Sequence, residues 1–289
     1  APATPSINIA DDGDEVTIHL PPLDDEPAGQ ATDGADAATP AYAGRVRRSR
    51  EVQLNLTDLM RRGYLVPGMG RSKQEEEFRI VKRPLLHNCD PALTPPIERA
   101  NLIMVTSALP GEGKTYSAIN LAMSMAMELD HTVLLVDADV VRPSVLNRLG
   151  LAPTRGLMDV LDDPTLDLSE VLLKTNIPKL TLLPAGTAHQ RSTELLASTS
   201  MESLLDELAT LYSDRIVIFD APPLLPSTES RVLATHMGQV VVVVEANQTP
   251  RSTVDEAFAT LDECPVVHAM LNKNRIDNGP AGYGYYAVN

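Results

Sequence analysis

The segment Ala108-Leu-Pro-Gly-Glu-Gly-Lys-Thr115 limits what this chain can fold into more than any other. An apolar run, Leu102-Ile-Met-Val-Thr106, precedes it, and a helix-like stretch from Ala118 to Met127 follows. Strand, glycine-rich turn, Lys-Thr and helix form a phosphate-cradling layout. Backbone N–H groups near Gly111 and Gly113 can point inward with no Cβ in the way. The free amides and dipole of the helix start attract anionic oxygens. Lys114 adds a mobile cation for outer phosphates, and Thr115 offers a hydroxyl to Mg²⁺. Ala108 stands where the commonest spacing has its first glycine, so context carries the reading as much as the motif does.

Alternation after Leu102 sets the fold class. Apolar runs predict strands over 102–106, 132–136, 180–183, 216–219, 240–244 and 266–271. Amphipathic segments between them predict helices over 114–129, 143–149, 157–161, 193–211 and 252–261. Such alternation predicts an α/β fold with a doubly wound, mostly parallel sheet. Aromatics are only 3% and Trp is absent, so the core is aliphatic, as suits a parallel sheet buried on both faces.

The regions outside that pattern differ in composition. Residues 1–44 are rich in Ala, Pro, Asp and Gly and read as a disordered acidic arm. Within it, Glu15-Val-Thr-Ile-His-Leu20 alternates like a short strand that docks on a partner, but a spacer is the better reading. Net charge is −15, and the nine acidic residues before Arg45 account for most of it. The remainder is ordinary for an enzyme, and the balance argues against sequence-independent nucleic-acid binding. Residues 45–71 carry Arg45, Arg47, Arg48 and Arg50 and a short amphipathic turn, Leu54–Met60. Two readings stand for them: a solvated basic linker, or a segment that touches anionic lipid or an acidic partner. From Ser72 a capping box opens a helix with Phe78, Val81 and Leu85 on one face, expected to end near Arg83 because Pro84 follows. Residues 72–277 form the expected main domain, and 278–289 a flexible Tyr-rich tail.

Cys89 and Cys264 have no metal or redox spacing, which favours a reducing compartment. The six histidines are scattered and read as structural or surface. No apolar run approaches a membrane span, and no basic-then-apolar leader is present.

Two further strands end in carboxylates. One is Val133-Leu-Leu-Val-Asp137-Ala-Asp139, the other Ile216-Val-Ile-Phe-Asp220-Ala-Pro-Pro223. In a parallel sheet the loops at the strands' carboxyl ends gather at one edge, where ligands bind. Asp137, Asp139 and Asp220 are therefore expected to converge near Lys114 and Thr115. Carboxylates there hold the water shell of Mg²⁺ or accept a proton from an attacking hydroxyl. Arg142, just beyond Asp139, is a candidate phosphate contact or a surface ion pair. Asn272, after the last strand, is a candidate base contact or a turn cap.

Tyr283, Tyr285 and Tyr286 crowd the last seven residues. A flexible Gly-rich tail cannot bury three rings, so a partner or a chemical role is expected. Beside a triphosphate site each phenol is a candidate acceptor.

With these motifs assembled, the sequence resembles the bacterial tyrosine kinases of the polysaccharide-export type, specifically the exopolysaccharide- and exosortase-associated autokinases. The similarity runs from about Ser72 to the C-terminus. It rests on Pro110–Thr115, the strand ending Val136-Asp-Ala-Asp139, the strand ending Phe219-Asp-Ala-Pro-Pro223, and the terminal tyrosines. The resemblance implies a P-loop NTPase of the MinD/ParA-like (SIMIBI) group that uses ATP and Mg²⁺. Pro110, Gly111, Glu112, Gly113, Lys114, Thr115 and Tyr116, with Arg142 and Asn272, would bind nucleotide. Thr115, Asp137 and Asp220 would hold the metal, with Asp139 in support, and Asp137 would help activate the acceptor phenol. Tyr283, Tyr285 and Tyr286 would be phosphorylated in trans. The family's E-x-x-R-x-x-R helix, which builds a ring-shaped homo-oligomer, matches Glu76, Arg79 and Lys82, although lysine cannot repeat a bidentate guanidinium contact. The family's Arg directly after Asp-x-Asp-x is Val141 here, with Arg142 one place on. The implied partner is an inner-membrane polysaccharide co-polymerase of the chain-length-determinant type. That would make the chain cytoplasmic and peripheral to the inner membrane, regulating exopolysaccharide polymerisation and export.

Two other classes compete. Partitioning ATPases of the MinD/ParA kind share the sheet pattern, but their loop begins Lys-Gly-Gly, and Leu109 occupies that lysine's position. A non-catalytic ATP-binding scaffold is the other, and the intact Lys114, Thr115 and three aspartates weigh against it.

Overall fold

The computed structural model describes residues 49–68, 70, 72–210 and 215–274. The acidic arm, the Glu15–Leu20 stretch, Arg45, Arg47, Arg48 and the three tail tyrosines lie outside the described residues.

Eight strands form a single sheet: β1 (Arg50–Val52), β2 (Leu102–Ser107), β3 (Thr132–Asp137), β4 (Leu173–Thr175), β5 (Leu180–Leu183), β6 (Arg215–Asp220), β7 (Gln239–Glu245) and β8 (Val267–Asn272). Their order is β1-β4-β5-β3-β6-β2-β7-β8, parallel except for the β4–β5 pair. The helices are α1 (Leu56–Arg61), α2 (Lys73–Asn88), α3 (Lys114–Ala126), α4 (Val145–Arg148), α5 (Leu157–Asp162), α6 (Leu168–Val171), α7 (Ser192–Leu196), α8 (Thr199–Thr210), α9 (Thr228–Ala234) and α10 (Arg251–Phe258).

β2 is buried along its whole length, and β3, β6 and β7 along most of theirs, because the period-two alternation feeds two cores. Leu102, Met104, Leu134, Val136, Val217, Phe219, Val240 and Val242 point to one face, among helices α5 to α10. Ile103, Val105, Val133, Leu135, Ile216, Ile218, Val241 and Val243 point to the other, where α3 packs. Every expected strand is present, and β2, β3 and β6 run side by side with Val136 opposite Phe219 and Asp137 opposite Asp220.

Four expectations change. Residues 45–71 are no linker over their described part: Leu54, Leu59, Tyr64, Leu65 and Val66 are buried against the α3 face. Asn176 ties this segment down, with Leu54 N–H donating to its Oδ1 at 2.8 Å and its Nδ2 donating to Leu54 O at 3.1 Å. α2 continues through Pro84 to Asn88. Pro84 sits on the exposed side, and so does Ile80, whose carbonyl loses its helical donor; water can reach it while Phe78 and Leu85 hold the buried side. The single helix expected over 193–211 is two, α7 and α8. Ser198 breaks it: its Oγ donates to Leu195 O at 2.7 Å and accepts from Met201 N–H at 3.3 Å. The short β1, β4, α6 and α9 were not read from the sequence at all.

Candidate active site

The phosphate loop joins β2 to α3 at the carboxyl edge of the sheet. Gly111 and Gly113 take φ of 92° and 101°, a left-handed backbone that other residues rarely adopt. Gly113 caps α3 without a side chain, which leaves the first N–H groups of the helix unspent. A Cβ on Gly113 would lie 2.2 Å from Asn272 Nδ2.

Several side chains brace this loop from behind. Glu112 is buried; its Oε2 accepts from Leu109 N–H at 2.7 Å and its Oε1 from the Thr249 hydroxyl. Asn272 Nδ2 donates to Glu112 O at 2.8 Å, and Lys273 Nζ donates to Gly111 O at 2.7 Å. The side chains of Glu112 and Asn272, two residues expected at the nucleotide, hold the loop's shape. Glu112's chain-distant partner could not be inferred from the motif.

Lys114 reaches across to the strand ends. Its Nζ is 2.8 Å from Asp139 Oδ2 and 3.4 Å from Asp220 Oδ1. Burial works against the lysine's charge, but Asp220 and Asp139 outweigh it and raise its pKa. Asp220, at the end of β6, is fully buried; desolvation raises its pKa, opposed by Lys114 and by the Thr115 hydroxyl. Asp137, at the end of β3, accepts from Ser144 N–H at 3.0 Å and Val145 N–H at 2.9 Å through Oδ2. Burial first, then the Asp220 charge, pushes Asp137 up to about 7. Asp137 Oδ1 and Asp220 Oδ2 are buried with no hydrogen-bond partner. Unpartnered carboxylate oxygens beside a Thr hydroxyl are the donor set that a magnesium ion and its waters satisfy.

A cavity of about 460 Å³ opens over this edge. Pro110, Gly111, Gly113, Lys114, Thr115 and Asp139 line it on the loop side. Arg142 lines it too, exposed, with its backbone N–H held by Asp139 Oδ1 at 3.1 Å. The three strand-end aspartates and the Lys-Thr pair therefore meet, as the parallel sheet predicts.

Two expected site residues face elsewhere. Tyr116 turns its phenol away from the cavity, donating to Gly63 O at 2.6 Å and accepting from Gln74 Nε2 at 2.7 Å. Two residues past Lys114, its side chain has rotated to the α1–α2 side of α3. Lys82, expected in an oligomer interface, is buried. Its Nζ donates to Ser124 O at 2.7 Å and pairs with Glu128 at 2.7 Å, tying α2 to α3. Its spacing from Phe78 and Leu85 places it on their inward face. Arg79 pairs with Glu76 at 2.6 Å and Glu75 at 2.9 Å within its own helix.

Ser144 was missed. Its Oγ donates to Thr115 Oγ1 at 3.2 Å while its backbone serves Asp137, so it links the loop hydroxyl to the β3 carboxylate. Pro143-Ser144 at a helix start was the only signal, and it reads equally as a cap.

A family model described as an AAA domain matches residues 100–273. Tyrosine-protein kinase YwqD of Bacillus subtilis (strain 168) is 32% identical over 188 residues, 64% of this chain and 77% of that one. The chain belongs to the bacterial tyrosine-protein kinase family. Another relative within reach of this kinase-family chain is the succinoglycan biosynthesis transport protein ExoP of Rhizobium meliloti (strain 1021), 32% identical over 243 residues. That match takes in 81% of this chain but only 29% of ExoP. Among solved structures, the VpsO kinase domain superimposes with a TM-score of 0.56 at 28% identity, over 68% of this chain and 96% of that one. The kinase domain of Escherichia coli tyrosine kinase ETK, at 20% identity and a TM-score of 0.59 over 83% of this chain and 95% of its own, shares the fold.

Proposed function

We propose that this chain is an ATP-dependent protein-tyrosine autokinase that phosphorylates Tyr283, Tyr285 and Tyr286 in trans. The supporting observation is Lys114 held between Asp139 and Asp220 at the mouth of the phosphate loop, with Asp137 one strand away. ATP phosphates enter against the loop amides and draw Lys114 onto their outer oxygens. Thr115, Asp137 and Asp220 would hold magnesium, which would neutralise the phosphate charge. Asp137 is the carboxylate offered to the acceptor proton. The phenolic oxygen forms the new bond to the γ-phosphorus, the bond to the ADP oxygen breaks, and the phenolic proton passes to Asp137. Arg142 approaches the phosphates from the cavity rim.

Similarity to ExoP, a succinoglycan biosynthesis transport protein, supports exopolysaccharide export as the proposed setting. There the chain acts as a homo-oligomer with an inner-membrane co-polymerase. Among the described residues no helix is long and apolar enough to cross a membrane.

The test is incubation of the purified full chain with γ-labelled ATP and Mg²⁺, followed by mapping of the label. Label on Tyr283, Tyr285 or Tyr286 that is lost in Lys114→Met supports the kinase. Hydrolysis without protein labelling would make it a partitioning-type ATPase, and neither signal would leave an ATP-binding scaffold.

A further inference from the structure

The cavity over the phosphate loop has lining residues to which the kinase reading gives no role. Pro222, Pro223 and Pro226, from the β6–α9 connection, form one wall. That wall is fixed in place: Thr106 Oγ1 donates to Pro222 O at 2.6 Å, and the Ser230 hydroxyl donates to the same carbonyl. Arg142 and Arg148, the latter the last residue of α4, line the same cavity. Neither guanidinium has an ion pair or side-chain hydrogen bond among the described residues.

The other charged groups of the cavity are committed. Lys114 is paired with Asp139. Glu229 accepts from the Thr193 hydroxyl at 2.6 Å and the Ser227 hydroxyl at 2.7 Å. With Arg142 given to the nucleotide, the unspent Arg148 fork and a rigid apolar wall in the same cavity suit a ligand that joins an aromatic ring to a dianion. A phosphotyrosine is such a ligand, and a free phosphate lacks the ring.

We propose that the Arg148 side of the cavity binds a phosphotyrosine of the acceptor segment, so that a tail already phosphorylated at one tyrosine is held while another is presented for transfer. This rests on the autokinase reading above. In an extended acceptor, residues two apart lie on one face about 7 Å from each other. Tyr283 and Tyr285 have that spacing. A phosphate on Tyr285 gripped by Arg148, its ring against Pro222 and Pro223, leaves Tyr283 on the same face of the acceptor, within the cavity that Lys114 and Asp139 also line. Phosphorylation of the tail is then ordered, the first event favouring the next.

The experiment measures binding separately from transfer. A fluorescent peptide of residues 278–289, unmodified or phosphorylated at Tyr285, is titrated with the full chain by fluorescence polarisation. Inorganic phosphate and free phosphotyrosine serve as competitors. The expected result is about tenfold or greater preference for the phosphopeptide, displaced by phosphotyrosine at lower concentration than by phosphate. Arg148→Ala removes the preference while its thermal midpoint and its affinity for a fluorescent ATP analogue stay within about twofold of the parent. Equal affinity for the two peptides, or a preference that survives Arg148→Ala, overturns the proposal. An equal loss of ATP-analogue affinity in Arg148→Ala also overturns it and makes Arg148 a nucleotide contact. A phosphopeptide preference without tail labelling keeps the site and removes the kinase reading, and labelling without preference does the reverse.

Discussion

Lys114 Nζ lies 2.8 Å from Asp139 Oδ2, so the cation of the phosphate loop is neutralised by the β3 strand end before any triphosphate arrives. Replacing the lysine removes a phosphate ligand and also leaves Asp139 and Asp220 without their common counter-charge. Lys114→Met is expected to lower tyrosine labelling by at least about 100-fold, the scale of one lost charge-stabilising group at a transfer site. Asp139→Asn, which frees the lysine and keeps the loop, should retain binding of an ATP analogue. Quantified autoradiography and analogue titration check both, and full labelling by Lys114→Met would remove the lysine from the chemistry.

Asp137 makes stability depend on pH. Its pKa, pushed up to about 7 from an ordinary 3.8, means the folded chain keeps a proton that the unfolded chain releases. Its stabilising contribution is complete below the ordinary value and disappears as pH rises through about 7. Without nucleotide, the thermal midpoint of the parent should therefore fall relative to Asp137→Asn between about pH 4 and 7. At pH 8 the Asn variant should be the more stable by a few kcal/mol, on the order of the shift involved, yet inactive in transfer. Parallel midpoint curves for the two proteins would contradict the burial account of Asp137.

Gly113 meets Asn272 with no room for a side chain. Gly113→Ala places a methyl 2.2 Å from Asn272 Nδ2 and keeps φ at 101°. Roughly 1–3 kcal/mol of backbone strain is expected, plus the clash. Adding Asn272→Gly should recover the clash component alone, because the backbone strain remains. Urea unfolding of the single and double variants separates the two, and full recovery in the double variant would mean the backbone is not strained.

Lys82 belongs to the interior. Lys82→Ala strips the donor from Ser124 O and the partner from Glu128. The expected cost is about 1–3 kcal/mol of unfolding free energy. Oligomer mass by light scattering should be unchanged below the unfolding temperature. A change of mass with undiminished stability would return Lys82 to an interface role.

The phosphate loop, the six main strands and the three strand-end aspartates are all legible in the sequence. Each depends on local pattern: apolar runs of strand length, a Lys-Thr at a helix start, an acid closing a strand. A parallel sheet then converts strand order into convergence, which is why Asp137, Asp139 and Asp220 could be expected near Lys114. Pattern misled where one residue had two uses. Pro84 reads as a stop, yet it is tolerated on the exposed side of α2. Lys82 matches an oligomer-interface position, yet it faces inward with Phe78 and Leu85.

What local pattern could not supply is pairing across long separations. Glu112 finds Thr249, Asn272 finds the loop carbonyl at Glu112, Tyr116 finds Gly63, and Leu54 finds Asn176. Polar side chains in a dry interior take whatever partner the packing brings within hydrogen-bond reach, because leaving them unpaired costs more than almost any local preference. The chain's letters thus named the nucleotide edge and its acids, while the packing of helices on the sheet chose which polar groups became braces and which stayed open to a ligand.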